Sequence, residues 1–272
     1  MRKIKLSSGH EIPQLGLGTW QLTGDTCTAS VREALAMGYT QIDTADGYQN
    51  HRQVAKGIKE AGMDRESFFL TTKIGMGNQS AEAVRQFGDR MLEELEIDYV
   101  DLLLIHWPTK KVPFAETLDA MKKVVEKGQA RSIGISNFNK GIAAEAAGLS
   151  KIPVVTNQVE FHPLLFQTEL LDACKALDMQ ITAYSPLAQG KAFANSAIKQ
   201  TAEKHGVSAA QVCIAWLLQK DIIVIPKASG PAHLKDNFAA VGVSLDDEDV
   251  KAIDGIEETV RIVDGNWKQY EF

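Results

Sequence analysis

Four residues in the first 106 positions carry most of the chemistry legible in this chain: Asp43, Tyr48, Lys73 and His106. Asp43, Lys73 and His106 each end a short apolar run, and Tyr48 lies five residues beyond Asp43. A free phenol titrates near ~10, so it is a weak acid at neutral pH unless its surroundings tune it. A lysine ammonium beside it favours the phenolate and lowers that value. A buried ammonium is costly alone and needs a carboxylate, which Asp43 can supply. His106 can aim an N–H at a substrate oxygen. Together these groups would form a polarised hole for negative charge developing on a carbonyl oxygen, with Tyr48 as proton donor. No side chain can supply a hydride, so the chemistry calls for a nicotinamide cofactor.

These residues converge only if the runs that end in them are parallel neighbours. Eight short apolar runs, at 14–18, 39–43, 68–73, 100–106, 132–136, 154–158, 180–184 and 222–225, read as strands. Helical patterns read at 26–37, 52–61, 81–95, 114–127, 140–147, 167–176, 208–219 and 231–241. Ser208 with Gln211 three residues on has the capping-box pattern. Eight strand–helix pairs predict a (β/α)8 TIM barrel over residues 1–272 as one domain, with its strand C-termini on one face. Turn residues at Ser7-Ser-Gly-His10 predict an N-terminal β-hairpin capping the barrel bottom. A doubly wound open sheet would want a Gly-rich dinucleotide fingerprint, and Gly16-Leu-Gly18-Thr-Trp20 lacks the third glycine.

Composition narrows the function classes. The net charge of −6 argues against a nucleic-acid footprint. No apolar run reaches the ~18 residues of a membrane span, and the N-terminus lacks a secretory apolar core. Three widely spaced cysteines, Cys27, Cys174 and Cys213, exclude a disulfide framework and predict free buried thiols in a reducing, cytoplasmic setting. A metal-dependent barrel hydrolase would want a His-x-His at a strand end, which the chain lacks, so no metal is expected. A monomer is expected, since no unusual apolar stretch asks for a partner.

The chain resembles the aldo-keto reductase family over essentially its whole length. The resemblance rests on Gly16-Leu-Gly-Thr-Trp20, Asp43-Thr-Ala with Tyr48, Thr72-Lys73, His106-Trp-Pro108, Arg131-Ser-Ile-Gly-Ile-Ser-Asn-Phe138, Asn157-Gln158 with His162-Pro163, Tyr184-Ser-Pro-Leu187 and Ile225-Pro-Lys227, in that order. The resemblance implies NAD(P)H-dependent reduction of small aldehydes and ketones, with Tyr48 as acid, Lys73 and Asp43 tuning it, and His106 orienting the carbonyl. It implies that Ser136, Asn137 and Gln158 hold the nicotinamide carboxamide and Tyr184 stacks on its ring. Ser185 and Leu187 would contact the pyrophosphate. Gly18, Thr19, Trp20 and Asp43 complete the nicotinamide side. Ile225, Lys227, Ala228, Ser229, His233, Asp236 and Asn237 would hold the adenosine end. Trp20, Tyr48, His106, Trp107 and the tail residue Trp267, with Tyr270 and Phe272, would wall the substrate pocket.

The chain departs from the family where Ala228 replaces a usual Ser or Thr and His233 a usual Arg. His lacks the guanidinium fork that pairs with a 2′-phosphate. NADP(H) use with NAD(H) tolerance is therefore expected. Gln189-Gly-Lys191 stands where larger members carry a cofactor-clasping Asp, and Gly75 where many place a Trp. The short loops most resemble bacterial 2,5-diketo-D-gluconate reductases, so diketogluconate and 2-oxoaldehyde substrates are in view. His51 replaces an acidic or amide residue. With His10 and His205 it reads as a solvated surface histidine, while His162 reads as orienting backbone. The run Asp246-Asp-Glu-Asp249 reads as a helix N-terminus. Two other functions use the same residues: a Schiff-base lyase with Lys73 as nucleophile, and a non-catalytic nicotinamide-binding sensor. A charge-paired Lys73 and an intact Tyr48 argue against them in turn.

Overall fold

Strand and helix alternate along the chain because buried β-rich runs are separated by amphipathic stretches, each long enough to return the chain to the sheet's starting edge. The computed structural model describes residues 1–75, 77 and 79–263. An antiparallel hairpin, β1 (Lys3–Lys5) and β2 (Glu11–Pro13), comes first. There follow β3 (Leu17–Gly18), α1 (Gly24–Ala36), β4 (Gln41–Asp43), α2 (His51–Ala61), β5 (Phe69–Ile74), α3 (Ala81–Leu95), β6 (Val100–Ile105), α4 (Phe114–Glu126) and β7 (Ala130–Ser136). The second half runs α5 (Lys140–Leu149), β8 (Val154–Glu160), α6 (Thr168–Ala176), β9 (Gln180–Tyr184), α7 (Ser196–His205), α8 (Ala209–Gln219), β10 (Ile223–Val224), α9 (Pro231–Ala239) and α10 (Asp247–Asp254).

Strands β3 to β10 form one parallel sheet in sequence order. The first and last strands meet: Gly16 N donates to Val224 O at 2.9 Å, Val224 N to Gln14 O at 2.8 Å and Gly18 N to Pro226 O at 3.1 Å. The (β/α)8 barrel is therefore closed. At this seam a Cβ on Gly18 would stand 2.6 Å from the Ile225 carbonyl oxygen, which explains the glycine.

Two apolar layers hold the fold. The larger lies between strands and helices, where Ile42, Leu70, Leu103 and Ile133 meet residues such as Val31, Val84, Met121 and Trp216. The smaller fills the barrel's lower interior: Phe69, Leu102, Leu104, Val155 and Ile223 point inward and pack against Ile4, Leu6 and Ile12 of the hairpin. The predicted bottom plug is thus present. Inward Val155 and inward Gln158 lie an odd number of residues apart, which a regular strand forbids. A register shift between Ile133/Val154 and Ile135/Asn157 resolves this by a bulge in β8.

Three local readings change. Helix α7 stands where no helix was predicted. Its buried side chains are only Ile198, Thr201 and Ala202, too few to give an apolar stripe, though Asn195 caps its start and Gly206 its end. Ser208 caps α8 by accepting from Gln211 N, but the Gln211 side chain donates to Asp236 at 2.6 Å, so no box closes. A full capping box forms instead at Asp246 and Asp249, opening α10. There His205 is half-buried against Asp249 at 2.7 Å rather than solvated, and Lys204 donates to both carboxylates. The three cysteines are buried and free. No helix among the described residues is long and apolar enough to cross a membrane.

The floor makes a direct prediction. Ile12, with no exposed surface, is packed inside the closed end. Ile12→Ala should lower unfolding free energy by about 2–5 kcal/mol, read by urea denaturation, while the folded fraction keeps the wild-type active-site geometry.

Candidate active site

The alternation of β5 aims its residues at two different environments. Leu70 and Ile74 join the outer layer, while Phe69 joins the inner one and Lys73, on the same parity, emerges above it inside the barrel. Lys73 has no solvent exposure. Its ammonium donates to Asp43 Oδ1 at 2.5 Å, Thr44 O at 2.8 Å and Tyr48 Oη at 3.3 Å. An ammonium has three hydrogens and no lone pair, so all three are used and Tyr48 Oη must accept. The phenol hydrogen is then not spent on Lys73. Burial pushes Asp43 up and Lys73 down, and each ion's charge opposes that trend in the other. Asp43 Oδ2 accepts from Gln158 Nε2 at 2.8 Å, the contact that the β8 bulge makes possible.

Tyr48 is held on a single 3-10 turn, Asp46–Tyr48, beyond the end of β4. Asp46 of that turn accepts from Arg90 of α3 at 2.7 Å. Asn50 follows, donating to Thr19 O and Leu22 O at 3.0 Å and accepting from Thr44 Oγ1 at 2.7 Å. The sequence reading missed both Asp46 and Asn50, although a buried Asn just after a loop Tyr is itself a signal of a fixed turn. His51 was expected on the surface. It is instead buried, bonded to Glu94 Oε2 at 2.8 Å and Thr72 Oγ1 at 2.9 Å, because the first residue of α2 turns inward onto β5 and α3. Burial, and secondly the Asp43 charge, push the Tyr48 phenol above its usual 10 rather than below it. The acid is thus kept loaded with its proton.

His106 follows β6, half-buried, with its ring edge-on to Tyr48 at 5.5 Å between centroids. Burial, and secondly the Lys73 ammonium, push the imidazole from 6.5 down to about 3. It is neutral across the working pH range and offers one N–H.

A cluster of hydroxyl and carboxamide groups lies beside these four residues. Asn137, at φ 65°, donates to His106 O at 3.0 Å and to Ser136 Oγ at 3.1 Å, and accepts from Tyr184 Oη at 2.8 Å. Ser136 Oγ donates to Gln158 O at 2.8 Å. These donors and acceptors suit a planar primary amide, and the half-buried Tyr184 ring beside them suits a planar heterocycle. Trp20 stands at the mouth with 41% of its surface exposed, and Thr19 Oγ1 donates to Asp43 O. Trp107 and Leu187 are half-buried, and Ser185 is held at φ 48°.

Beyond β10, Lys227, Ser229 and His233 are exposed while Ile225, Ala228 and Asn237 are buried. They lead into α9, whose N-cap Gly230 supplies no side-chain cap and whose first turn holds Pro231. Amide hydrogens there are available to an anion. Asp236 is engaged with Ser208 and Gln211 at 2.8 and 2.6 Å, so it braces α8 against α9. Trp267, Tyr270 and Phe272 lie outside the described residues.

A closed parallel barrel with an acid, an ammonium, a carboxylate and an imidazole at the C-terminal face of its strands defines a class of carbonyl-processing barrel. The sequence profile of the Aldo/keto reductase family matches residues 14–258, and the chain belongs to that family. It is 40% identical over 260 residues to a glyoxal reductase of Bacillus subtilis (strain 168), covering 95% of this chain and 94% of that one. It is 38% identical over 255 residues to methylglyoxal reductase DkgB of Yersinia pestis, covering 93% and 96%. Among solved structures, one provisionally named 2,5-diketo-D-gluconic acid reductase B superposes with a TM-score of 0.91 at 39% identity, covering 96% of this chain and 93% of that one.

The His106 environment gives a titration prediction. The folded value of about 3 lies below the ordinary 6.5, so the unfolded chain binds a proton that the folded chain refuses between those values. Stability from this group is complete above pH 6.5 and falls on acidification toward 3. An NMR titration should find the His106 ring signal unmoved from pH 8 to about 5. A midpoint near 6.5 would show that the imidazole is hydrated and free to charge.

Proposed function

We propose that this chain reduces small aldehydes and ketones at the expense of a reduced nicotinamide dinucleotide, with Tyr48 as the proton donor. One observation carries the reading: the Lys73 ammonium uses all three hydrogens, the third on Tyr48 Oη, so the phenol hydrogen remains for a substrate oxygen. Bound reduced nicotinamide supplies hydride to the carbonyl carbon. The rest falls to the chain. His106, neutral, orients the carbonyl through its N–H. Tyr48 protonates the oxygen as charge develops there. Lys73 then faces a phenolate, whose charge it stabilises, and Asp43 keeps that ammonium paired throughout.

Ser136, Asn137 and Gln158 would hold the carboxamide and Tyr184 the ring face. Gly18, Thr19, Trp20, Ser185, Leu187 and the stretch from Ile225 to Asn237 would follow the rest of the dinucleotide. Lys227 and Ser229 offer an anion some recognition, but His233 and Ala228 remove the fork and hydroxyl suited to a 2′-phosphate. NADP(H) with real NAD(H) tolerance is the cofactor reading. Relatives named for glyoxal and methylglyoxal reduction, a solved structure named for 2,5-diketo-D-gluconic acid reduction, and a glycine at position 75 where many members place a Trp favour 2-oxoaldehydes and small diketo sugar acids as substrates. A monomeric cytoplasmic enzyme of the alcohol-forming class completes the proposal. The Schiff-base reading is disfavoured by the paired Lys73, because a nucleophilic amine must be neutral.

Tyr48→Phe should lower kcat/KM for methylglyoxal by about 10²–10⁴ while NADPH binding, read by quenching of protein fluorescence, is unchanged. Equal rates would remove Tyr48 as the acid. In parallel assays the NADPH-over-NADH ratio in kcat/KM should stay below about 100-fold, roughly 2.7 kcal/mol.

A further inference from the structure

One buried carboxylate takes no part in the chemistry above. Glu160 ends β8, two residues beyond Gln158, and only 1% of it is exposed. Isolated burial of a carboxylate is strongly unfavourable, so its partners show what it is for. Glu160 Oε1 accepts from Ile262 N at 2.6 Å, and Oε2 from Val263 N at 2.8 Å. His162 Nε2 donates to Oε1 at 3.0 Å. Two of the three donors are backbone amides more than a hundred residues away, from a segment without regular structure. Two further contacts tie the same segment down. Val260 N donates to Leu164 O at 2.8 Å, and Arg261 reaches Gln167 Oε1 at 3.4 Å. Gln167 in turn donates to Glu160 O at 2.7 Å.

The position of this anchor matters. Glu160 pairs with Tyr184 in the β8–β9 ladder, and Phe161 N donates to Tyr184 O. Glu160 and Arg261 both lie close enough to act electrostatically on the Tyr184 hydroxyl. That hydroxyl bonds Asn137, which bonds the His106 carbonyl. Segment 260–263 therefore lies at the rim of the barrel mouth, against the end of β8 and beside the proposed nicotinamide platform. His162 and the two amides draw the Glu160 carboxyl below its usual range although burial pushes the other way.

We propose that Glu160 is a positioning residue that latches segment 260–263 at the rim of the barrel mouth and so sets the substrate-facing wall on that side. The functional half of this statement rests on the reductase reading; the latch itself does not. His162 completes the latch by fixing the carboxylate's orientation through its bond to Oε1. Among the described residues, the Glu160 carboxylate alone accepts from these two amides.

The test uses the full chain and two variants. Glu160→Gln keeps one acceptor and turns an NH2 toward the amides. Val263→Pro deletes one donor from outside the barrel. Amide hydrogen exchange should speed up by about tenfold or more at Ile262 in both variants and at Val263 in Glu160→Gln, with strand amides of the barrel unchanged. KM for methylglyoxal should rise about fivefold or more, with kcat within about threefold of wild type and NADPH affinity unchanged. Unchanged exchange at Ile262 and Val263 overturns the latch. Faster exchange with an unchanged KM overturns its role at the substrate wall. If Glu160→Gln fails to fold, Val263→Pro decides both points alone. A wild-type chain inert toward every carbonyl sinks the reductase reading, and the exchange measurement still decides the latch.

Discussion

A charge pair sealed from water, Lys73 with Asp43, is the constraint around which the upper barrel is built. Removing two ions from solvent costs several kcal/mol each, and their attraction offsets this only when every remaining donor and acceptor is matched. Here the matching is complete on both sides. The ammonium has a carboxylate, a carbonyl and a phenol, and the second carboxylate oxygen has the Gln158 amide. Deleting one partner leaves the other charged and unpaired. The arrangement is tolerable for folding and useful for chemistry because its charge separation exists before substrate arrives.

Several distant elements converge to satisfy that pair. The bulge in β8 rotates Gln158 inward. Arg90 and Glu94 of α3 grip the turn and helix on either side of Tyr48, through Asp46 and His51. His51 also bonds Thr72, the residue before Lys73, so one helix face steadies both the phenol and the amine from outside the barrel. The outer packing is thus part of the site's geometry. Small displacements there would be felt at a hydrogen bond already as long as 3.3 Å.

Much of this was legible in the residues. Strand ends could be read because a parallel sheet covered on both faces gives continuous apolar runs, and a polar residue closing such a run has nowhere to go but the mouth. The plug was legible from Ile4, Leu6 and Ile12 around a turn. Other features were hidden for identifiable reasons. Helix α7 buries too little to show a periodic stripe. The depth of His51 depends on Glu94 and Thr72, which are remote in sequence. The bulge leaves no signature in Val154-Val-Thr-Asn157, since two apolar residues followed by two polar ones show no alternation that a one-residue shift would break. The direction of the Tyr48 shift was also misjudged. Lys73 reads as the dominant neighbour along the chain, whereas burial and the Asp43 charge outweigh it in space.

The stopped floor has a practical corollary. Residues 3–13 lie beneath the inner layer, whereas Ile262 and Val263 lie at the opposite rim, against the end of β8. The hairpin and segment 260–263 therefore lie at opposite poles of the cylinder. A surface tether, reporter or fusion partner joined on the amino-terminal side would hang from the sealed pole and leave solvent access to the cavity undisturbed.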